Sequence, residues 1–328
     1  MCGIVAIYAY HHAAPEVDRV ELRRIRDTML LRGPDGVGEW FSEDGRVALG
    51  HRRLAIIDPQ ERSQQPLATR DGSLIVIFNG EIYNYRELRA DLQKRRHSFR
   101  TESDTEVLLY LYAEEGENLV RKLRGMFAFA LWDKRKGILL LARDPYGIKP
   151  LYYADDGWTV RIASQVKALM AGQKISRDPE PAGMVGFFLW GSVPEPYTIY
   201  QEVRQVPAGA IVKVTRLGPE KPQAYFSVAQ TYHEAYEQSA MQGNGSRNKL
   251  ASDERQAVQE ILRDSVIHHM VSDVTVGIFL SSGIDSGALL SLLHDSGVGK
   301  PDTVTVSFRE FQGSADDETE FAEEIARK

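Results

Sequence analysis

Cys2 is the only cysteine in 328 residues, and it directly follows Met1. Removal of the initiator methionine would leave a cysteine at the N-terminus, its thiol and its α-amine side by side. The ordinary amine pKa of about 7.7–8.0 leaves a useful fraction neutral near pH 7, able to take the thiol proton. One residue would then supply both nucleophile and general base, with no histidine needed. The plainer alternative is that Cys2 merely begins a buried strand, since a free cysteine behaves as a small apolar residue.

Four further groups could carry chemistry. Gly50-His51-Arg52-Arg53-Leu54 lies in an apolar run, residues 47–57, where a guanidinium is costly to bury unless an anion meets it. A substrate carboxylate would serve, gripped by the two-pronged arginine donor. The other reading is an arginine reaching solvent at a strand edge. Alternation does not choose between Arg52 and Arg53, because both faces of this run are apolar. Asn79-Gly80-Glu81 follows the apolar residues 74–78 and reads first as a tight hairpin turn. The functional alternative pairs the Asn79 amide with the Gly80 N–H as donors to the oxyanion of a tetrahedral intermediate. Glu81 would then offer a charge to a substrate ammonium. Ser103-Asp104-Thr105-Glu106 is a capping box, and Asp104 in the first turn suits the helix dipole. A second role for Asp104 in ligand binding is compatible with that. Residues 143–153, with two prolines and a glycine, read as a structured loop leading into an aromatic strand.

Around these groups the pattern predicts strands at 2–10, 47–57 and 73–78, and a strand pair at 126–132 and 138–142. Helical spacing covers 17–31, 86–95 and 104–115. Strands apolar on both faces, set between amphipathic helices, suggest two stacked sheets covered by helices.

Met1-Cys2-Gly3-Ile4, Arg32-Gly33-Pro34-Asp35, His51-Arg52-Arg53-Leu54, Asn79-Gly80-Glu81-Ile82-Tyr83-Asn84, Ser103-Asp104-Thr105-Glu106 and Arg143-Asp144-Pro145 occur in that order. The set resembles the class II glutamine amidotransferase domain, an N-terminal nucleophile hydrolase. The resemblance implies a four-layer α/β/β/α sandwich over residues 2–215 that hydrolyses glutamine to glutamate and ammonia without a cofactor. By that resemblance Cys2 is the nucleophile and its amine the base, and Asn79 and Gly80 form the oxyanion hole. Arg53 would hold the glutamine carboxylate, Glu81 and Asp104 its ammonium.

The composition is that of an ordinary soluble globular chain: 43% apolar, 26% charged, net charge −6. That charge gives no sign of nucleic-acid or membrane binding. A lone cysteine forms no internal disulfide, and no secretory signal or spanning apolar run is present. A cytoplasmic enzyme is expected. The histidine pairs His11-His12 and His268-His269 lack the helical i, i+4 spacing of a zinc hydrolase.

The middle of the chain says less: a helix at 179–190, a Pro-rich loop at 191–200, a short strand at 210–214. Residues 216–252, polar and containing Asn244-Gly245-Ser246, read as an exposed connector. Residues 253–270 then show helical spacing, and the strand 275–280 runs into Ser281-Ser282-Gly283-Ile284-Asp285-Ser286 and an apolar helix. Strand, short Ser/Gly loop and helix make a phosphate cradle or an ordinary turn. It is not the Walker pattern, because no Gly-Lys-Ser/Thr follows.

The loop resembles the Ser-Gly-Gly-x-Asp-Ser pyrophosphate loop of ATP pyrophosphatases, with Ser282 in place of the first glycine. A serine fits less easily there if the position needs positive φ. The resemblance implies ATP against Leu280, Ser281, Gly283, Asp285, Ser286 and Val306, with Asp285 near Mg²⁺. An amidotransferase domain followed by this loop is the arrangement of the glutamine-hydrolysing asparagine synthetase family. That implies adenylation of aspartate by ATP and amidation by ammonia from the first site, often in a homodimer. Residues 253–328 would be the start of a doubly wound parallel α/β domain, since only two strands of its sheet are present. The expectation is therefore a truncated chain, or a glutaminase alone if whole. Another carboxylate acceptor, and a non-catalytic binding remnant, stay open as alternatives.

Overall fold

The computed structural model describes residues 1–242, 247–298, 301–314 and 317–327. The chain divides into two compact units, Met1–Glu234 and Ala235–Lys328.

The first unit begins with β1 (Gly3–Ala9), α1 (Arg19–Asp27), β2 (Gly36–Phe41) and β3 (Val47–Arg53). Next come β4 (Leu67–Ala68), β5 (Leu74–Ile82), α2 (Tyr85–Lys94) and α3 (Asp104–Glu115). The chain continues through β6 (Gly125–Asp133), β7 (Ile138–Arg143), β8 (Tyr152–Asp155), β9 (Thr159–Ala163), α4 (Val166–Ala171) and α5 (Pro181–Trp190). It closes with β10 (Val203–Gln205), β11 (Ala210–Thr215), β12 (Gly218–Pro219), β13 (Gln223–Ala224) and the start of α6 (Val228–Gln242). One sheet runs β10-β8-β9-β1-β3-β2; the other runs β12-β11-β7-β6-β5-β4, with β13 also on β11. Every pairing in both is antiparallel.

Period-2 alternation explains the stacking. Along β1, Ile4, Ala6 and Tyr8 join Ile75, Ile77, Ala128, Ala130 and Leu141 in a core between the sheets. Val5 and Ile7 point the other way, into a second core with Leu22 and Ile25 of α1 and Leu169 of α4. On the far side α3 lies against β5 and α2 against α3. The result is the four-layer α/β/β/α sandwich.

Several predicted boundaries move. The strand at 47–57 stops at Arg53. The strand at 73–78 runs on to Ile82, so Asn79-Gly80 is no hairpin turn: Asn79 pairs with Ala128 and Gly80 with Phe127. The segment read as a polar connector holds β12, β13, α6 and the start of the next helix, because good helix formers such as Ala, Gln and Glu fill it. Asn244-Gly245-Ser246 lies outside the described residues.

The second unit contains the end of α6, then α7 (Arg247–His269), β14 (Gly277–Phe279), α8 (Ile284–Ser296), β15 (Asp302–Val304) and α9 (Thr319–Arg327). The two strands pair in parallel, as expected of the start of a doubly wound sheet. Among the described residues, no helix is long and apolar enough to cross a membrane.

Candidate active site

Cys2, Arg53, Asn79, Gly80, Glu81 and Asp104 line one cavity of the first unit. They come from just ahead of β1, the end of β3, the second half of β5 and the first turn of α3. Both sheets therefore contribute, which is why residues so far apart in sequence meet.

Cys2 precedes β1, whose register with β3 sets Gly3 opposite Arg52. The Cys2 Sγ lies 3.4 Å from the Leu54 N–H, which donates to it, and 3.6 Å from the Leu54 carbonyl. Burial pushes the thiol pKa up, against that backbone contact and the nearby amine and Arg53. The Arg32 Nε donates to the Cys2 carbonyl at 3.0 Å and pins the turn. At Gly3 a Cβ would stand 2.7 Å from the Met29 Cβ, so the start of β1 needs glycine to pass the end of α1.

The two arginines part company. Arg52 turns to Asp27, at 2.5 Å. Arg53 is buried and lines the cavity. Its guanidinium donates to the carbonyls of Gln60 (3.0 Å), Ile57 (3.1 Å) and Asp58 (2.5 Å). Backbone oxygens thus offset part of the cost of burying this guanidinium. The same bonds tie the loop 54–60 down beside the cavity.

Strand β5 presents a row of donors. Its pairing with β6 alternates, so Phe78, Gly80 and Ile82 turn their N–H groups away from that ladder. Beyond the short β4 this edge has no strand neighbour among the described residues, and side chains replace one. The Phe78 N–H donates to Gln65 Oε1 at 2.7 Å, and the Ile82 N–H to Asp104 Oδ2 at 2.9 Å. Between them, the same alternation aims the Gly80 N–H into the cavity. Beside it the Asn79 amide is fully buried, and neither its nitrogen nor its oxygen has a hydrogen-bond partner among the described residues. A buried amide without partners costs free energy unless something arrives to meet it. Gly80 itself admits no side chain, since a Cβ would lie 2.3 Å from the Met126 carbonyl oxygen.

Asp104 is buried, and its pKa is pushed up to about 7, first by burial and then, against its hydrogen bonds, by the charge of Glu81. Ser103 caps α3 by accepting from the Thr105 N–H at 3.1 Å. The reciprocal half of the capping box differs. Glu106 reaches past Ser103 and accepts from the N–H groups of Thr101 (2.8 Å) and Arg100 (3.0 Å).

Three contributors were not singled out from the sequence. Gln65 bridges Phe78 and Thr105, its Nε2 donating to Thr105 Oγ1 at 3.2 Å. His51 Nε2 lies 3.0 Å from the Phe78 carbonyl and must therefore carry the proton; burial pushes the His51 pKa down to about 4, so the ring is neutral. Lys149 lines the cavity although it is only 5% exposed. Its one sequence signal is a lysine held between Ile148 and Pro150 within a turn-rich loop.

In the second unit, Ser281 to Ser286 form a compact turn between β14 and α8. The Ser281 N–H donates to Ser286 Oγ at 3.1 Å, and the Gly283 N–H to Ser281 Oγ at 3.2 Å. Ser282 is not among the residues with positive φ, and Gly283 sits at φ −74°. The serine therefore brings no backbone strain. The first turn of α8 opens at this loop, where unpaired helix N–H groups suit an anion. Leu280 is buried and bonded to β15 through the Val304 carbonyl at 2.9 Å, whereas Asp285 and Val306 are exposed. Among the described residues no group of three or more His, Cys, Asp or Glu gathers as a metal site.

A family described as "Glutamine amidotransferase domain" matches residues 1–226, and one described as "Asparagine synthase" matches residues 257–328. Asparagine synthetase [glutamine-hydrolyzing] 1 of Bacillus subtilis is 40% identical over 297 residues, covering 90% of this chain and 44% of its own length. Amidase chry2 of Gibberella zeae is 30% identical over 303 residues, covering 89% of this chain and 43% of its own. The chain thus spans less than half the length of these curated relatives. Among solved structures, glutamine phosphoribosylpyrophosphate amidotransferase from B. subtilis aligns over 69% of this chain and 50% of its own, with TM-score 0.50 and 23% identity. That likeness shows a shared fold.

Proposed function

The chain belongs to the glutamine amidotransferase domain family over residues 1–226, and from this premise we propose that its first unit hydrolyses glutamine to glutamate and ammonia at Cys2. The observation that carries the reading is the cavity itself, which Cys2 lines together with Gly80 and an Asn79 amide that has no hydrogen-bond partner among the described residues. Once Met1 is removed, the Cys2 amine takes the thiol proton and the sulfur attacks the glutamine amide carbon. Asn79 and Gly80 hold the oxygen as it gains charge. The amine then returns the proton to the leaving nitrogen, and ammonia departs. Water attacks the thioester, releasing glutamate and the thiol. Arg53 receives the substrate carboxylate; Glu81 and Asp104 receive its ammonium.

For the whole protein we propose a glutamine-dependent asparagine synthetase. ATP is bound at Leu280, Ser281, Gly283, Asp285, Ser286 and Val306, and the aspartate β-carboxylate attacks its α-phosphorus, expelling pyrophosphate. Ammonia then displaces AMP from the acyl-adenylate. The parallel pair β14 and β15 and the match of residues 257–328 support this part. Asp285 would hold Mg²⁺ together with the ATP phosphates. A cytoplasmic setting and a homodimer belong to the same reading. Amidation of another carboxylate is the second reading, supported by a relative of similar coverage that carries a name other than asparagine synthetase.

The test is intact mass together with glutamate release from glutamine on the purified chain. A mass lacking Met1 with glutamate production abolished in Cys2→Ala is expected. Met1 removed but no glutamate formed by the wild type would overturn the glutaminase assignment.

A further inference from the structure

Lys149 is a buried lysine in the lining of the reaction cavity. Its backbone is fixed. The Asp144 carboxylate accepts from the N–H groups of Phe127 (3.2 Å), Tyr146 (3.1 Å), Ile148 (2.9 Å) and Lys149 (3.0 Å). The Lys149 carbonyl accepts from the Arg143 Nε at 2.8 Å. Asp144 is thus engaged by backbone donors, and the clamped loop sets Lys149 in the cavity wall, nearly closed to solvent. A charge there is costly to hold unless the site uses it.

Burial pushes the Lys149 pKa down, as does Arg32 after α1, while Glu81 on β5, Cys2 ahead of β1 and Asp144 on its own loop favour the ammonium. The chain's terminal amine feels the same cations. Burial first, and then Arg32 and Lys149, hold it below its ordinary value, while Cys2 and Glu81 push it up. In the structure that amine belongs to Met1; removal of Met1 transfers it to Cys2, one residue inward along the chain.

We propose that Lys149 is a positioning residue of the glutaminase centre, its ammonium keeping the Cys2 amine unprotonated and favouring ionisation of the thiol beside it. This rests on the glutaminase reading above and adds Lys149 to the cations Arg32 and Arg53 that act beside Cys2. The sign is unambiguous. A positive charge disfavours protonation of the amine and of the thiolate alike, so removing it moves both macroscopic steps of the pair to higher pH.

The experiment uses the full chain with Met1 removed, as wild type, Lys149→Met and Lys149→Arg. Two profiles are measured against pH: kcat/KM for glutamine hydrolysis, and the rate of Cys2 alkylation by iodoacetamide, which reads a single thiol because the chain has one cysteine. Lys149→Met should move the acidic limb of both profiles upward by on the order of one pH unit, the size expected of one charge across a cavity at an effective dielectric of about 20. Lys149→Arg should restore the wild-type limb. Coincident limbs in wild type and Lys149→Met would overturn the proposal. Lys149→Gln, also neutral, makes the same test if the methionine variant unfolds. If the wild type released no glutamate, the glutaminase reading would fall and the alkylation profile would decide the part of Lys149 by itself.

Discussion

Asp104 shows how much a single carboxyl reveals about this cavity. A carboxyl whose pKa is pushed up to about 7 binds its proton more tightly in the folded chain than in the unfolded one. Its contribution therefore favours folding at low pH and is lost as pH rises from about 4 to about 7, by roughly 4 kcal/mol at most. Asp104→Asn removes that dependence. The melting temperature of the variant relative to wild type should become more positive between pH 5 and pH 8, and parallel curves would sink the argument. Function has the opposite sign. A protonated Asp104 offers no charge to a substrate ammonium, so KM for glutamine should rise as pH falls below about 7. In Asp104→Asn, KM should be high throughout and lack the part of that rise due to Asp104.

Strand β5 is the element on which the site turns, and the sequence was ambiguous about it. Asn-Gly after an apolar run is a strong turn signal, because glycine tolerates positive φ. Gly80 instead sits in a strand, required by its close approach to the Met126 carbonyl, and no local propensity distinguishes the two cases. The helix α3 and the strands β1, β6 and β7 were legible because their apolar runs and caps are local. The choice between Arg52 and Arg53 was not legible from alternation, since it depends on what lies across each face: Asp27 for one, the loop carbonyls and cavity for the other. Gln65 escaped notice for the same reason, as its partners are 13 and 40 residues away. It now supports a prediction at the scale of the strand. Gln65→Leu leaves the buried Phe78 N–H without an acceptor, which should cost about 1–3 kcal/mol in chemical denaturation. The adjoining Asn79 should lose its alignment as well, lowering kcat for glutamine hydrolysis by roughly tenfold or more, with KM less affected. A variant with wild-type kcat would show that the edge of β5 holds its place without this side chain.

At the scale of the whole molecule the two units differ in how well each fills its own interior. The first has two continuous cores, one between its sheets and one under α1 and α4. In the second, the buried apolar residues among those described are Val266, Leu280, Leu293 and Ala322. Phe279, Ile284, Phe308 and Phe321 are each more than half exposed, at 77%, 89%, 56% and 64%. Apolar burial is the main favourable contribution to folding, at about 25 cal/mol per Å² removed from water. The second unit therefore has much less to set against chain entropy. Calorimetry of the 328-residue chain should show two transitions rather than one. The lower should belong to residues 235–328 and the upper to the sandwich. A glutamine analogue that occupies the cavity should raise only the upper transition, by mass action, and ATP only the lower. Glutamate release should survive a temperature between the two. A single transition moved by both ligands would mean that the second unit draws its stability from the first, and the independence argued from their separate interiors would be wrong.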